Sequence, residues 1–127
     1  MATESKSWTA ELQVGTEQEI SGYAKSIGDD NVIHHDTALM QSRGFKGVFQ
    51  PGARLFDFAS ASVGTTLSGF AVEHGEMAFP HPIFAHDRIT VEFKATYRGP
   101  VGKVTIHAYT NGILVMEASA RLSRIVG

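Results

Sequence analysis

The chain has 127 residues, a formal net charge of −2, and 43% hydrophobic and 19% charged positions. This is the profile of one soluble domain long enough to bury a core, and the near balance of charge argues against a surface built to neutralise nucleic-acid phosphates. Cysteine is absent, which excludes disulfides, thiolate nucleophiles and zinc–thiolate sites. No run of Lys and Arg forms a membrane-attracted patch, the opening MATESKSWTAELQVG lacks the apolar core of a signal peptide, and no stretch approaches membrane-spanning length. A single domain over residues 1–127, working in the cytoplasm without nucleic acid or membrane, is therefore expected.

Residues 1–7 are small and polar and are expected to fray. WTAELQV (8–14) reads as a short strand closed by Gly15. Thr16 and Glu19 form a capping box ahead of Ile20, Tyr23, Ala24 and Ile27 at helical spacing, and Gly28 suits the C-terminal cap. The next segment, GDDNVIHHD (28–36), is a polar loop. A short helix, TALMQSRG, follows from a cap at Asp36 or Thr37 and stops at Gly44, and GFKGVFQPG (44–52) is a loop by its glycines and proline. ARLFDFASASVGTTLS (53–68) predicts a helix that is apolar on most of its circumference, through Leu55, Phe56, Phe58, Ala59, Val63 and Leu67, and hence buried.

The C-terminal half changes period. VEHGEMAFPHPIF (72–84) reads as a strand whose end is confined to an edge or bend by Pro80 and Pro82. From Arg88 to Arg98, apolar Ile89, Val91, Phe93, Ala95 and Tyr97 alternate with polar residues, as in a half-buried strand. RGPVG turns the chain into KVTIHAYT, and Asn111-Gly112 is a strong hairpin signal before ILVMEASARLSRI. The expected fold class is α+β: an antiparallel sheet wrapped around one apolar helix.

The polar loop allows three readings. Asp29, Asp30 and Asn31 suit Asx turns, with His34 solvated. Asp29, His34, His35 and Asp36 are all capable metal ligands, although adjacent imidazoles diverge and the spacing matches no familiar zinc pattern. Asp29 and His34 also suit an acid/base pair, since a carboxylate and an imidazole aimed at one water can remove one proton and deliver another. Nucleophilic catalysis has less support: Ser60 and Ser62 lie inside the apolar helix, and there is no G-x-S-x-G elbow. Gly52 opens that helix, where unpaired N–H groups and the positive dipole end suit a carbonyl oxygen that gains charge.

YAKSIGDDNVIHHD (23–36) resembles the hydratase 2 motif of the MaoC-like (R)-specific enoyl-CoA hydratases and dehydratases, a branch of the hot-dog superfamily. On that motif Asp29 takes the place of the catalytic aspartate, Asn31 the asparagine, His34 the catalytic histidine and Asp36 the trailing aspartate. GFKGVFQPGARL and HPIFAHDRITVEFKATYR are similar to the segments that open the central helix and the following long strand. Val32 replaces a usual proline, His35 a commonly apolar residue, Pro51 the usual histidine before Gly52, and His86 a usual glycine.

The resemblance implies a hot-dog fold, with the sheet around the 53–68 helix, and an acyl-thioester substrate bound near a dimer interface of a homodimer or higher homo-oligomer. It implies reversible hydration of a trans-2-enoyl thioester by Asp29 and His34, with the Gly52 N–H facing the thioester oxygen. Asn31 would orient the loop, and Ser62, one or two turns into the helix, would support the site from behind. No metal or redox cofactor is needed, because coenzyme A or an acyl carrier protein comes as part of the substrate. A basic entrance would draw on Arg43, Lys46, Arg54 and Arg98. A hot-dog thioesterase and a non-catalytic binding or assembly subunit are the alternatives.

Overall fold

In the C-terminal half the period-two pattern becomes three consecutive antiparallel strands, β3 (Arg88–Arg98), β4 (Val101–Thr110) and β5 (Ile113–Arg124). The computed structural model describes residues 2–125, the side chain of His74 apart. The remaining elements are β1 (Glu4–Gln13), α1 (Glu17–Ser26), a 3-10 turn at Val32–His34, α2 (Thr37–Ser42), α3 (Gly52–Thr66) and β2 (Phe70–Ala78). The five strands form one antiparallel sheet in the order β1-β3-β4-β5-β2. This is the expected α+β hot-dog arrangement, with α3 laid against the sheet.

Alternation fixes which face is buried. Ile89, Val91, Phe93 and Ala95 of β3 and Val104, Ile106 and Ala108 of β4 point inward, against Leu55, Ala59 and Val63 of α3. Each fully buried Val, Leu, Ile or Phe among them contributes roughly 1.5–3 kcal/mol. In β5 the alternation breaks, because Val115 and Met116 are consecutive and both fully buried. The register shifts there, Ala108 pairing with Met116 and Tyr109 with Leu114. One extra residue is accommodated as a bulge, which lets both neighbours face the core.

Three expectations need correction. The first strand begins at Glu4 and not at Trp8, because Glu4 to Ser7 pair with Tyr97 to Lys94 of β3. The cross-strand partners, which lie far along the chain, order a segment whose own composition suggests fraying. The long helix runs from Gly52 and buries one face, while Ala53, Asp57, Ala61 and Gly64 lie exposed on the other. Phe56 and Phe58, which widened the apolar arc in the sequence, are only partly buried. The 3-10 turn inside the polar loop was not anticipated.

The loops beside the pocket are held by main-chain bonds. The Gln50 N–H donates to the Ile83 carbonyl at 2.7 Å, Phe49 bridges Phe84, and the Phe49 N–H donates to the Ile33 carbonyl at 2.7 Å. Residues 47–51 are thereby tied to both the polar loop and the segment that follows β2.

Candidate active site

The capping box that starts α1 is present as read: Glu19 N–H donates to Thr16 Oγ1 at 3.1 Å and Thr16 N–H to Glu19 Oε1 at 3.2 Å. Those bonds from Thr16 hold the Glu19 carboxyl below its ordinary range. At the other end Gly28 takes a left-handed φ of 75°, and the Asp29 N–H returns to the Ala24 carbonyl at 2.8 Å. The chain is thus turned sharply at Asp29.

From there the loop is built by its own side chains. Asp29 Oδ1 accepts the Asn31 N–H at 3.0 Å, Asn31 Oδ1 accepts the Ile33 N–H at 3.2 Å, and Asp36 Oδ1 accepts the Leu39 N–H at 3.0 Å to cap α2. The first two are Asx turns, expected at Asp29, Asp30 and Asn31 and present at Asp29 and Asn31. They also leave Asp29 Oδ2 facing His34, whose Nε2 lies 3.1 Å away. The His34 side chain is buried at 8% exposure, whereas Asp29 keeps 38%. The loop therefore brings Asp29 and His34 together and does not leave His34 solvated.

The second imidazole nitrogen sets the tautomer. His34 Nδ1 lies 2.7 Å from the Phe49 carbonyl, which can only accept, so Nδ1 carries a hydrogen. A neutral His34 then turns a lone pair on Nε2 toward Asp29. A hydrogen bond between Nε2 and Oδ2 consequently requires a proton on one of the two. The two side chains are placed for a proton to pass between them.

His35 is turned the other way, with its ring nearly perpendicular to that of His34 at 88°. Its Nε2 donates to the Asp29 carbonyl at 2.8 Å, and its Nδ1 accepts from Ser21 Oγ at 2.6 Å. With both nitrogens engaged, it buttresses the loop against α1. Among the described residues no group of three or more His, Asp or Glu side chains is placed to hold a metal ion.

His34 faces a pocket of about 290 Å³ lined mainly by apolar residues, including Ile33, Phe49, Pro82 and Ile83, together with Gln50 and Gly52. A smaller hollow of about 190 Å³ shares His81 and Pro82 with it. Larger hollows of about 440 and 360 Å³ lie across β2, β4 and β5 and are lined by none of the polar-loop residues. No side chain caps the first turn of α3, so its leading N–H groups and positive dipole end suit a carbonyl oxygen. The ring of Phe79 lies so close over Gly52 that a Cβ there would meet ring carbons at 2.6 and 2.7 Å.

The other expected residues fall elsewhere. Ser62 accepts from Trp8 Nε1 at 3.1 Å and does not line the pocket. It lies nearly three turns beyond Gly52 and fastens β1 to α3. Lys46 is drawn to Asp87 at 3.7 Å, and the Arg54 guanidinium lies 5.6 Å from the Tyr23 ring centre. Tyr23 itself donates to Asp57 at 3.1 Å, and burial, followed by that bond and the carboxylate charge, pushes its phenol up. Sequence reasoning missed the bracing role of His35 and the closeness of Phe79 to Gly52.

No protein-family model and no curated protein sequence matches this chain. Solved structures do. An (R)-hydratase from A. caviae involved in PHA biosynthesis superposes with a TM-score of 0.82 over 94% of each chain at 23% identity. The R-hydratase PhaJ1 from Pseudomonas aeruginosa superposes at 0.81, covering 99% of this chain and 90% of that one at 17% identity. A MaoC-like dehydratase, of which this chain spans 42%, superposes at 0.78 over 95% of this chain at 17% identity. The fold is the hot-dog fold of these (R)-hydratases and MaoC-like dehydratases, in agreement with the motif resemblance.

Proposed function

We propose that the protein is a hydro-lyase that reversibly adds water to a trans-2-enoyl thioester, giving the (R)-3-hydroxyacyl thioester. The observation that carries this reading is the 3.1 Å approach of His34 Nε2 to Asp29 Oδ2 beside an apolar pocket that includes the start of α3. The (R)-hydratases and MaoC-like dehydratase of the same fold support the reaction class.

The chemistry follows from the closeness of the carboxylate and the imidazole. The pair removes one proton from a water as its oxygen bonds to C3 of the enoyl group. The double-bond electrons pass to the thioester oxygen as an enolate, which faces the Gly52 N–H, a preorganised donor. C2 then takes one proton back from the pair, which returns to its starting state. Dehydration runs the same path in reverse. Asn31 holds the turn between the two catalytic side chains. The thioester carrier is coenzyme A or an acyl carrier protein, and the working unit is a homodimer or higher homo-oligomer. Complexes of two different chains, such as HadBC (3R-hydroxyacyl-ACP dehydratase) from Mycobacterium tuberculosis, support assembly in general.

The test is loss of enoyl absorbance from crotonyl-CoA and longer or aryl enoyl-CoAs, with Asp29→Asn and His34→Ala beside the parent. Hydration that drops by at least about 100-fold in both folded variants fits an acid/base pair. Free thiol released without hydration would establish a thioesterase instead. Binding without either reaction would point to a non-catalytic subunit.

A further inference from the structure

Glu17 opens α1, and its Oε2 accepts the Thr37 hydroxyl at 2.7 Å at the start of α2. The Val48 N–H points at the same oxygen from 3.4 Å. Between these contacts lies Gly47, which is buried, and a Cβ built on it would meet Glu17 Oε2 at 2.5 Å. The backbone of Gly47 is not left-handed, so what its missing side chain accommodates is the close approach of the carboxylate.

The segment held in this way carries the acceptor of His34. Val48 is followed by Phe49, whose N–H donates to the Ile33 carbonyl and whose own carbonyl faces His34 Nδ1, both at 2.7 Å. A displacement at the Val48 N–H is therefore passed to the imidazole through one residue. The later part of α1 holds the carboxylate partner: the Asp29 N–H returns to the Ala24 carbonyl, and Ser21 anchors His35. One helix thus supports Asp29 from its last turns and His34 from its first residue. Glu17 itself lines no part of the pocket of His34.

We propose that Glu17 is a positioning residue for His34. Its carboxylate, seated in the gap left by Gly47, sets the approach of His34 Nε2 to Asp29 Oδ2 through Val48 and Phe49. This rests on the reading of Asp29 and His34 as an acid/base pair. A misplacement of about 1 Å costs reacting groups on the order of 100-fold in rate, so a smaller shift of this segment lowers kcat more than it changes KM.

The experiment compares Glu17→Asp, which withdraws the carboxylate by one methylene, Gly47→Ala, which pushes it out, and Glu17→Gln, which keeps an acceptor oxygen. Folding is checked by circular dichroism. The readouts are kcat for hydration of crotonyl-CoA and solvent exchange of the His34 Nδ1–H proton, whose resonance is identified by its loss in His34→Ala. The parent is expected to protect that proton. Glu17→Asp and Gly47→Ala should lose the protection and about tenfold in kcat, and Glu17→Gln should keep most of both. Gly47→Ala should add nothing in a Glu17→Ala background, where no carboxylate remains to be displaced. An unprotected proton in the parent, unchanged rate and protection in the folded variants, a change in one readout without the other, or an additive loss in the double variant would overturn the proposal. A parent that hydrates nothing, but whose variants lose the protection, keeps the positioning of His34 and loses the proposed reaction.

Discussion

The imidazole of His35 donates to the main-chain carbonyl of Asp29 at 2.8 Å while its other nitrogen accepts from Ser21 of α1 at 2.6 Å. The residue that follows one member of the proposed acid/base pair therefore braces the other against a helix. Reacting groups displaced by about 1 Å can lose on the order of 100-fold in rate. His35→Leu is accordingly expected to lower kcat by roughly 10- to 100-fold in a folded protein. His35→Gln, which keeps an N–H donor, should recover part of the loss. An unchanged kcat in His35→Leu would show that the brace is dispensable.

Gly52 and Phe79 occupy space that a methyl group would contest. Phe79 is 39% exposed, so its ring has room to swing aside. Gly52→Ala is therefore expected to cost less in a Phe79→Ala background than alone, with a coupling of about 0.5–3 kcal/mol by denaturant unfolding. Additive losses would mean that the ring does not rest on Gly52 in solution.

His86 holds a left-handed φ of 65°, a conformation that costs a side-chain-bearing residue about 1–2 kcal/mol. Glycine pays less there but loses more freedom on folding. The net expectation for His86→Gly is a gain of up to about 1 kcal/mol with hydration unaffected. A loss of stability would mean that the imidazole makes a compensating contact.

Thr16→Ala removes a cap and should destabilise the fold by about 1 kcal/mol near neutral pH. Glu19 adds a sign. Its carboxyl is held below its unfolded range by Thr16, so it stabilises the fold above that range, and the contribution is lost as pH falls through the folded value. The penalty of Thr16→Ala should therefore shrink in acid. Parallel unfolding curves at neutral and low pH would settle it, and a constant difference would separate the two residues energetically.

Most of the fold was legible because its signals are local. The Thr16–Glu19 box, the left-handed Gly28 and the Asn111-Gly112 turn each act within a few residues, and alternation along β3 survives intact. What escaped depends on distant partners. Glu4 to Ser7 are ordered by β3, the bulge at Val115 interrupts a pattern that periodicity continues, and Ser62 answers to Trp8. The candidate site divides the same way. Asp29 and His34 stand at a readable spacing, but the carbonyl that sets the His34 tautomer comes from Phe49, and the walls of the pocket come from segments on either side of α3.

The chain contains a single tryptophan. Trp8 stacks on Phe93 at 4.7 Å, with its ring nitrogen on Ser62, and takes no part in the pocket. Its fluorescence is thus a built-in gauge of whether the first strand, β3 and the long helix are docked. Because Trp8 does not line the pocket of His34, the same emission reports loss of fold in every variant above.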